Sequence, residues 1–183
     1  MKHTKVTLAP LEKDDREQFI LDNQLAFKYG ALEEFGERDN SIDSDGEIIS
    51  RRTIERSIDD PLCETYRIIY EGKKVGGVIL KIDKETNCGE LEILFVTPNE
   101  HTKGIGYGAW LEVEALHPEI TVWETCTPYF EKRNIHFYVN KCGFKIDEFW
   151  CEYCEPKHEI PDFDEGKSEE GPDEMFHFIK VMK

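Results

Sequence analysis

The chain has 183 residues, of which 39% are hydrophobic and 34% charged, and its formal net charge is −16 at pH 7. The length suits one domain with a sizeable core, and such acidity argues against nucleic acid, whose phosphates require lysine and arginine, while favouring cationic small molecules or basic proteins. No apolar run is long enough to span a membrane and MKHTKVTLAPLEKDD lacks a signal-peptide core, so the expectation is a cytoplasmic protein whose six cysteines are thiols.

Lys5 to Leu11 reads as a first strand. Glu12 then opens a helical region reaching about Glu37, with Phe19, Leu25, Ala26, Phe27, Leu32 and Phe35 as apolar contacts and a break or bend expected at Gly30. Asn40 to Gly46 is a turn-rich linker. Ile48, Ile49, Ile54 and Ile58 suggest a second helix, ended by Asp60-Pro61. Cys63 to Tyr70 and Lys74 to Ile82 form a hairpin turning through Glu71-Gly72-Lys73, and Gly76-Gly77 in its second arm implies a bulge or a close approach.

Gly89 to Leu116 reads as strand, glycine-bearing turn and amphipathic helix. Simple alternation puts Leu91, Ile93 and Phe95 on one side of the strand and Glu90, Glu92, Leu94 and Val96 on the other. Pro98 ends the ladder because it has no N–H to donate. Ile105, Ala109, Val113 and Leu116 then give one apolar helix face. Between them, Lys103-Gly-Ile-Gly-Tyr-Gly108 strips side chains from the first helical turn, so a phosphate can reach the N–H groups that a helix start leaves unpaired. The run is neither G-x-x-x-x-G-K-[ST] nor G-x-G-x-x-G, and taken alone a ligand-free tight turn explains it equally well.

Ile120 to Cys126 is a fifth strand, followed by a last helix with Ile135, Tyr138, Val139 and Cys142 on one face. Phe144 to Tyr153 and Met175 to Met182 are the sixth and seventh strands. Residues 154–174 between them form a loop with nine acidic residues against two lysines, either a solvated excursion or an acidic rim that draws in a basic acceptor. Cys151-Glu-Tyr-Cys154 with His158 has metal-like spacing, but a fourth ligand is lacking and no metal is expected.

The turn at His101 to Gly108 and the run Glu131-Lys-Arg-Asn-Ile-His-Phe-Tyr-Val-Asn-Lys-Cys-Gly-Phe144 together resemble the two hallmarks of the GNAT family of N-acetyltransferases. The first hallmark there is [QR]-x-x-G-x-[GA] after the fourth strand, and the second is a helix carrying a tyrosine shortly before Gly-Phe. The likeness is good from about Tyr66 to Phe149. It implies a single α/β domain over residues 1–183, with a mixed sheet of about seven strands, flanking helices, and parallel fourth and fifth strands that splay at their C-terminal ends. It also implies acetyl-coenzyme A as cosubstrate, held by the backbone at Phe95, Val96 and Thr97, by His101, by Lys103, Gly104, Ile105, Gly106, Tyr107 and Gly108, and by Asn134. His101 departs from the hallmark's Gln or Arg, and Glu131 from an Asn that usually touches the coenzyme.

Acetyl transfer to an amine needs a base, because a lysine-like ammonium with pKa ~10.4 must give up about 4.6 kcal/mol to be neutral at pH 7. Glu92-Ile-Leu-Phe95 matches the E-I-x-F stretch that carries the base in histone-type relatives, with Glu90 or Glu124 as substitutes. Tyr138 matches the tyrosine that protonates the departing thiolate, although its place on an apolar helix face also fits a core residue. The expected reaction is direct attack by a primary amine, favoured to be cationic, in a ternary complex. The competing expectation is a non-catalytic acyl-coenzyme A sensor, and either could be monomer or homodimer.

Overall fold

The computed structural model describes residues 4–35, 47–151, 153 and 174–183. The strands are β1 (Thr7–Pro10), β2 (Cys63–Tyr70), β3 (Lys73–Asp83), β4 (Cys88–Val96), β5 (Val122–Pro128), β6 (Lys145–Trp150) and β7 (Met175–Val181), joined in one sheet of order β1-β2-β3-β4-β5-β7-β6. The helices are α1 (Arg16–Phe35), α2 (Arg51–Asp59), α3 (Ile105–Leu116) and α4 (Lys132–His136), the last continued by a π turn over Phe137–Cys142. Only β4 and β5 pair in parallel; the other neighbours are antiparallel. A parallel pair needs a crossover, and α3 supplies it. Among the described residues no helix is long and apolar enough to cross a membrane.

Each face of the sheet has its own core. On one face Leu91, Val78, Leu80, Trp123 and Phe178 pack with Ile105, Ala109, Trp110 and Val113 of α3 and with Tyr138, Cys142 and Phe144. On the other, Ile79, Ile93 and Phe95 pack with Phe19, Ile20 and Ala26 of α1 and Ile54 of α2. Leu91 and Ile93 are therefore on opposite faces, contrary to the simple alternation expected for this strand. The reason is a bulge: Ile79 is opposite Ile93 and Leu80 is opposite Leu91, so Glu92 is an extra residue that flips the phase.

α1 runs unbroken through Gly30, where an added Cβ would meet nothing within 4 Å, so the expected bend does not occur. α2 starts at Arg51 rather than at Ile48 because Ser50 caps it, its Oγ accepting from the Thr53 N–H at 3.0 Å. β5 lies two residues later than expected, at Val122–Pro128: the Ile120 N–H closes the turn from α3 on the His117 carbonyl, and Thr121 bonds to Asn87 and Met182 just ahead of the strand. Gly77 leaves room for the edge-to-face pair Phe19–Phe95 (centroids 5.2 Å apart), since a Cβ there would lie 2.3 Å from the Phe19 ring. The bulge expected near Gly76-Gly77 falls at Val75. The linker at 40–46, the side chains of Leu32 and Phe35, most of the acidic loop at 154–174, and Cys154 with His158 lie outside the described residues.

Candidate active site

β4 and β5 share three rungs, Cys88–Val122, Gly89–Trp123 and Glu90–Glu124, and then part. The Thr125 hydroxyl donates to the Leu91 carbonyl at 2.9 Å, a last tie just above the fork. Beyond it each strand runs on without the other, which opens a cleft through the middle of the sheet. The two sides of this cleft differ in chemistry.

On the α3 side, β4 leads through Thr97 into a short helical turn, Pro98–Lys103, and Gly104 at φ 72° starts α3 with no side-chain cap. An uncapped helix start presents N–H groups and the positive dipole end to whatever lies in front of it. The three glycines have different duties. Gly104 adopts a left-handed conformation that favours glycine. Gly108 is a packing residue, since a Cβ would lie 2.3 Å from the Thr4 carbonyl oxygen. At Gly106 a Cβ would make only ordinary contacts, 3.5 Å from the Phe137 ring and 3.8 Å from Val96. Gly106 is thus the glycine whose smallness neither the turn nor the packing requires. Lys103 Nζ is 2.6 Å from Glu100 and lies over the Tyr70 ring. The backbone of His101 lies in the turn before α3, and its side chain is outside the described ones.

Not all of the expected β4 backbone faces the cleft. The Thr97 N–H donates to the Val75 carbonyl at 2.9 Å, and the Phe95 carbonyl lies against Gly76, so both residues direct their backbone groups into β3. Strand alternation then turns the Leu94 and Val96 amides toward the side β5 has left.

Tyr138 lies in the π turn, its ring buried 5.5 Å from Phe137, 5.8 Å from Phe144 and 5.5 Å from Phe178 (centroid distances). Its phenol is hydrogen-bonded with Thr125, the residue at the fork, and burial pushes its pKa above the usual tyrosine value. The ring is thus a core residue, as its apolar helix face allowed, and its hydroxyl lies at Thr125, beside the last tie between β4 and β5. The expected regular helix is instead a short α4 and a π turn, in which Phe144 N–H reaches back to the Tyr138 carbonyl at 3.0 Å. Asn134 donates from Nδ2 to Thr127 Oγ1 at 3.3 Å and to Glu131 Oε2 at 3.1 Å, at the far end of β5.

On the α1 and α2 side a polar row crosses the sheet. Cys63, Lys81, Glu90 and Glu124 are consecutive register partners on β2, β3, β4 and β5. Glu92, the bulge residue, joins them through a hydrogen bond with Cys63. Burial first, then Glu92 and Glu124, push the Glu90 carboxyl up to about 7, with Lys81 opposing. Burial and the carboxylates of Glu90 and Glu92 likewise push the Cys126 thiol up. His177 Nε2 lies 3.8 Å from Glu124. Placing Glu90 in this row needed the strand register, which residue spacing does not supply.

A second feature was not foreseen. Arg67, buried on β2, donates to Asp15 at 2.8 and 3.1 Å and to Asp22 at 2.8 Å, and Lys74 adds a 2.9 Å ion pair to Asp15. This network latches α1 across the sheet. Its only trace in the sequence is an arginine inside an otherwise apolar strand, TYRIIY.

The family model described as the acetyltransferase (GNAT) family matches residues 29–144. The uncharacterized protein YrkN of Bacillus subtilis is 40% identical over 183 residues, covering 98% of this chain and 95% of that one. Among solved structures, the PaiA N-acetyltransferase of Thermoplasma acidophilum in complex with coenzyme A superimposes with a TM-score of 0.64 at 19% identity, covering 97% of this chain and 99% of that one. The spermidine N-acetyltransferase of Vibrio cholerae in complex with coenzyme A and spermine gives 0.66 at 14% identity, covering 98% and 96%.

Proposed function

This chain belongs to the GNAT family of acetyltransferases, and from that premise we propose that it moves an acetyl group from acetyl-coenzyme A to a primary amine by direct attack in a ternary complex. The observation that carries this reading is the cleft itself, with an uncapped helix start on one side of the sheet and a carboxylate row on the other. An anionic pyrophosphate fits the first, where Lys103, Gly104, Ile105, Gly106 and Tyr107 surround the opening of α3. An ammonium fits the second, where Glu90, Glu92 and Glu124 meet.

The residues take complementary parts in the reaction. Glu92, at the bulge, accepts a proton from the ammonium, and Glu90 and Glu124 hold the positive charge near it. The freed nitrogen lone pair attacks the thioester carbon, forming C–N and pushing electrons onto the carbonyl oxygen, which the Leu94 amide can receive. Collapse breaks C–S, the Tyr138 phenol gives its proton to the leaving thiolate, and the extra proton on the acylated nitrogen returns to the phenolate, leaving a thiol, a neutral amide and the phenol restored. No covalent carrier is needed. The thiol beside the row, Cys126, is a poor nucleophile because burial and two carboxylates keep it protonated.

The acceptor class follows from charge: a row of carboxylates in a chain of net charge −16 selects for a cationic amine. The test is a panel of spermidine, lysine and a short basic peptide, with coenzyme A thiol release and N-acetyl product measured together. The reading requires product from at least one amine in excess of a protein-free control. Acetyl-coenzyme A binding without product from any of them would favour the sensor reading.

A further inference from the structure

Asn23 lies on α1 between Phe19 and Ala26, at the spacing of one helical turn from each. Phe19 packs edge-on against Phe95, and both Phe19 and Ala26 share a core with Ile93 and Phe95. Asn23 is therefore on the face that covers β4 after its bulge, where β5 has parted from it. Its exposure is 0%, and among the described residues neither Oδ1 nor Nδ2 has a hydrogen-bond partner.

An amide in that state is costly. A buried donor or acceptor without a partner forfeits its full desolvation free energy, and more than nine in ten buried polar groups in native proteins are paired. Leucine has nearly the same shape and would complete the apolar face around Phe19, Ile20 and Ala26 without that penalty. A carboxamide at such a position has its partner supplied from outside the described residues. The partner must come from the α1 side of the cleft, the side of Glu90, Glu92 and Glu124.

We propose that Asn23 positions the acceptor, its Oδ1 accepting a hydrogen bond from the attacking amine and so aiming the nitrogen at the acyl carbon in the cleft. The inference rests on the amine-acetylation reading and deepens it. A neutral carboxamide suits this task because it accepts from the ammonium and from the free amine alike and takes no proton, leaving proton removal to the carboxylates. Oriented attack is a large part of the barrier in such reactions, so a positioning bond acts on kcat as well as on KM.

The experiment compares the parent with Asn23→Leu, using the amine of the spermidine, lysine and basic-peptide panel that the parent turns over fastest. The inference predicts three results together: Tm raised by about 2–4 °C, since a buried unpaired amide has been removed; unchanged affinity for acetyl-coenzyme A by calorimetry; and kcat/KM for the amine lowered about 10- to 100-fold. Asn23→Ala serves as the second variant, with the same kinetic loss expected despite the cavity it leaves. Unchanged kcat/KM in both variants would overturn the inference while the acetylation reading stands. A lowered Tm for Asn23→Leu with unchanged kinetics would also overturn it, by identifying the partner as a buried water only. If the parent acetylates no amine of the panel, the acetylation reading falls and this inference falls with it.

Discussion

Glu90 and Glu92 are two residues apart, yet the bulge gives them unequal work. Glu90 is held in the paired part of the sheet between Lys81 and Glu124, and its carboxyl is pushed up to about 7 by burial and by Glu92 and Glu124. A raised carboxyl pKa means that the folded state binds a proton more tightly than the unfolded state. The associated stability is present in full below the unfolded value, near 4.5, and is lost as pH rises through 7. Glu90→Gln should therefore leave stability nearly unchanged at pH 4 and raise it at pH 8, by on the order of 1–2 kcal/mol after allowance for solvent screening. Urea melts at the two pH values measure this directly, and equal changes at both would contradict it. Glu92→Gln should lower the rate most at low pH, with partial recovery as the acceptor itself deprotonates; a loss that is the same at every pH would make Glu92 a positioning residue. Tyr138→Phe keeps the ring packing against Phe144 and Phe178 while removing the hydroxyl proposed to protonate the thiolate. Turnover should fall ~10²–10⁴-fold with coenzyme affinity little changed.

Among the elements, α3 and α1 cover opposite faces of the sheet. The glycines at the start of α3 separate under substitution. Gly106→Ala has space for its Cβ, so it should fold normally and weaken acetyl-coenzyme A binding by about tenfold, because the methyl group stands where a phosphate would approach. Gly108→Ala drives a Cβ onto the Thr4 carbonyl and should destabilise the fold by ~1–3 kcal/mol with coenzyme affinity retained. Thermal melts and titration calorimetry on the pair distinguish them. On the other face, Arg67→Met strands the Asp15 carboxylate. Burial raises the Asp15 pKa, but hydrogen bonds from Arg67 and Lys74 outweigh it and hold it below the usual value, so the variant should lose about 3–5 kcal/mol at neutral pH and less in acid. The order of the elements, the parallel β4–β5 pair and the loop that opens α3 were legible because glycine, proline and apolar periodicity act locally. The face of Ile93 was not, because one extra residue in a strand is invisible to a period-two pattern. Nor was the π turn at Tyr138, since helical spacing reads the same for either winding.

Over the described residues the sheet works as a partition that opens between β4 and β5. The uncapped start of α3 lies at one face and a carboxylate row at the α1–α2 face, and among the described residues the sheet parts between them after Glu90 and Glu124. Candidate groups that are far apart in sequence, such as Glu92 and Tyr138, reach this opening from opposite sides. Tyr138 was singled out by the second hallmark and Glu92 by the E-I-x-F stretch, whereas their separation by the sheet required the fold. The amide at Asn23 had no sequence signal, because an asparagine between Phe19 and Ala26 reads as an ordinary interruption of an apolar face. The measurement that bears most directly on the account is acetyl transfer itself. Acetyl-coenzyme A labelled with carbon-13 in the acetyl group is incubated with the protein and the cationic amine panel, and free thiol and labelled amide are quantified by mass spectrometry. The account predicts equal amounts of thiol and N-acetylated amine, formed by the parent and reduced at least a hundredfold by Tyr138→Phe. Thiol release without labelled amide, or labelled amide formed equally fast by Tyr138→Phe, would contradict it.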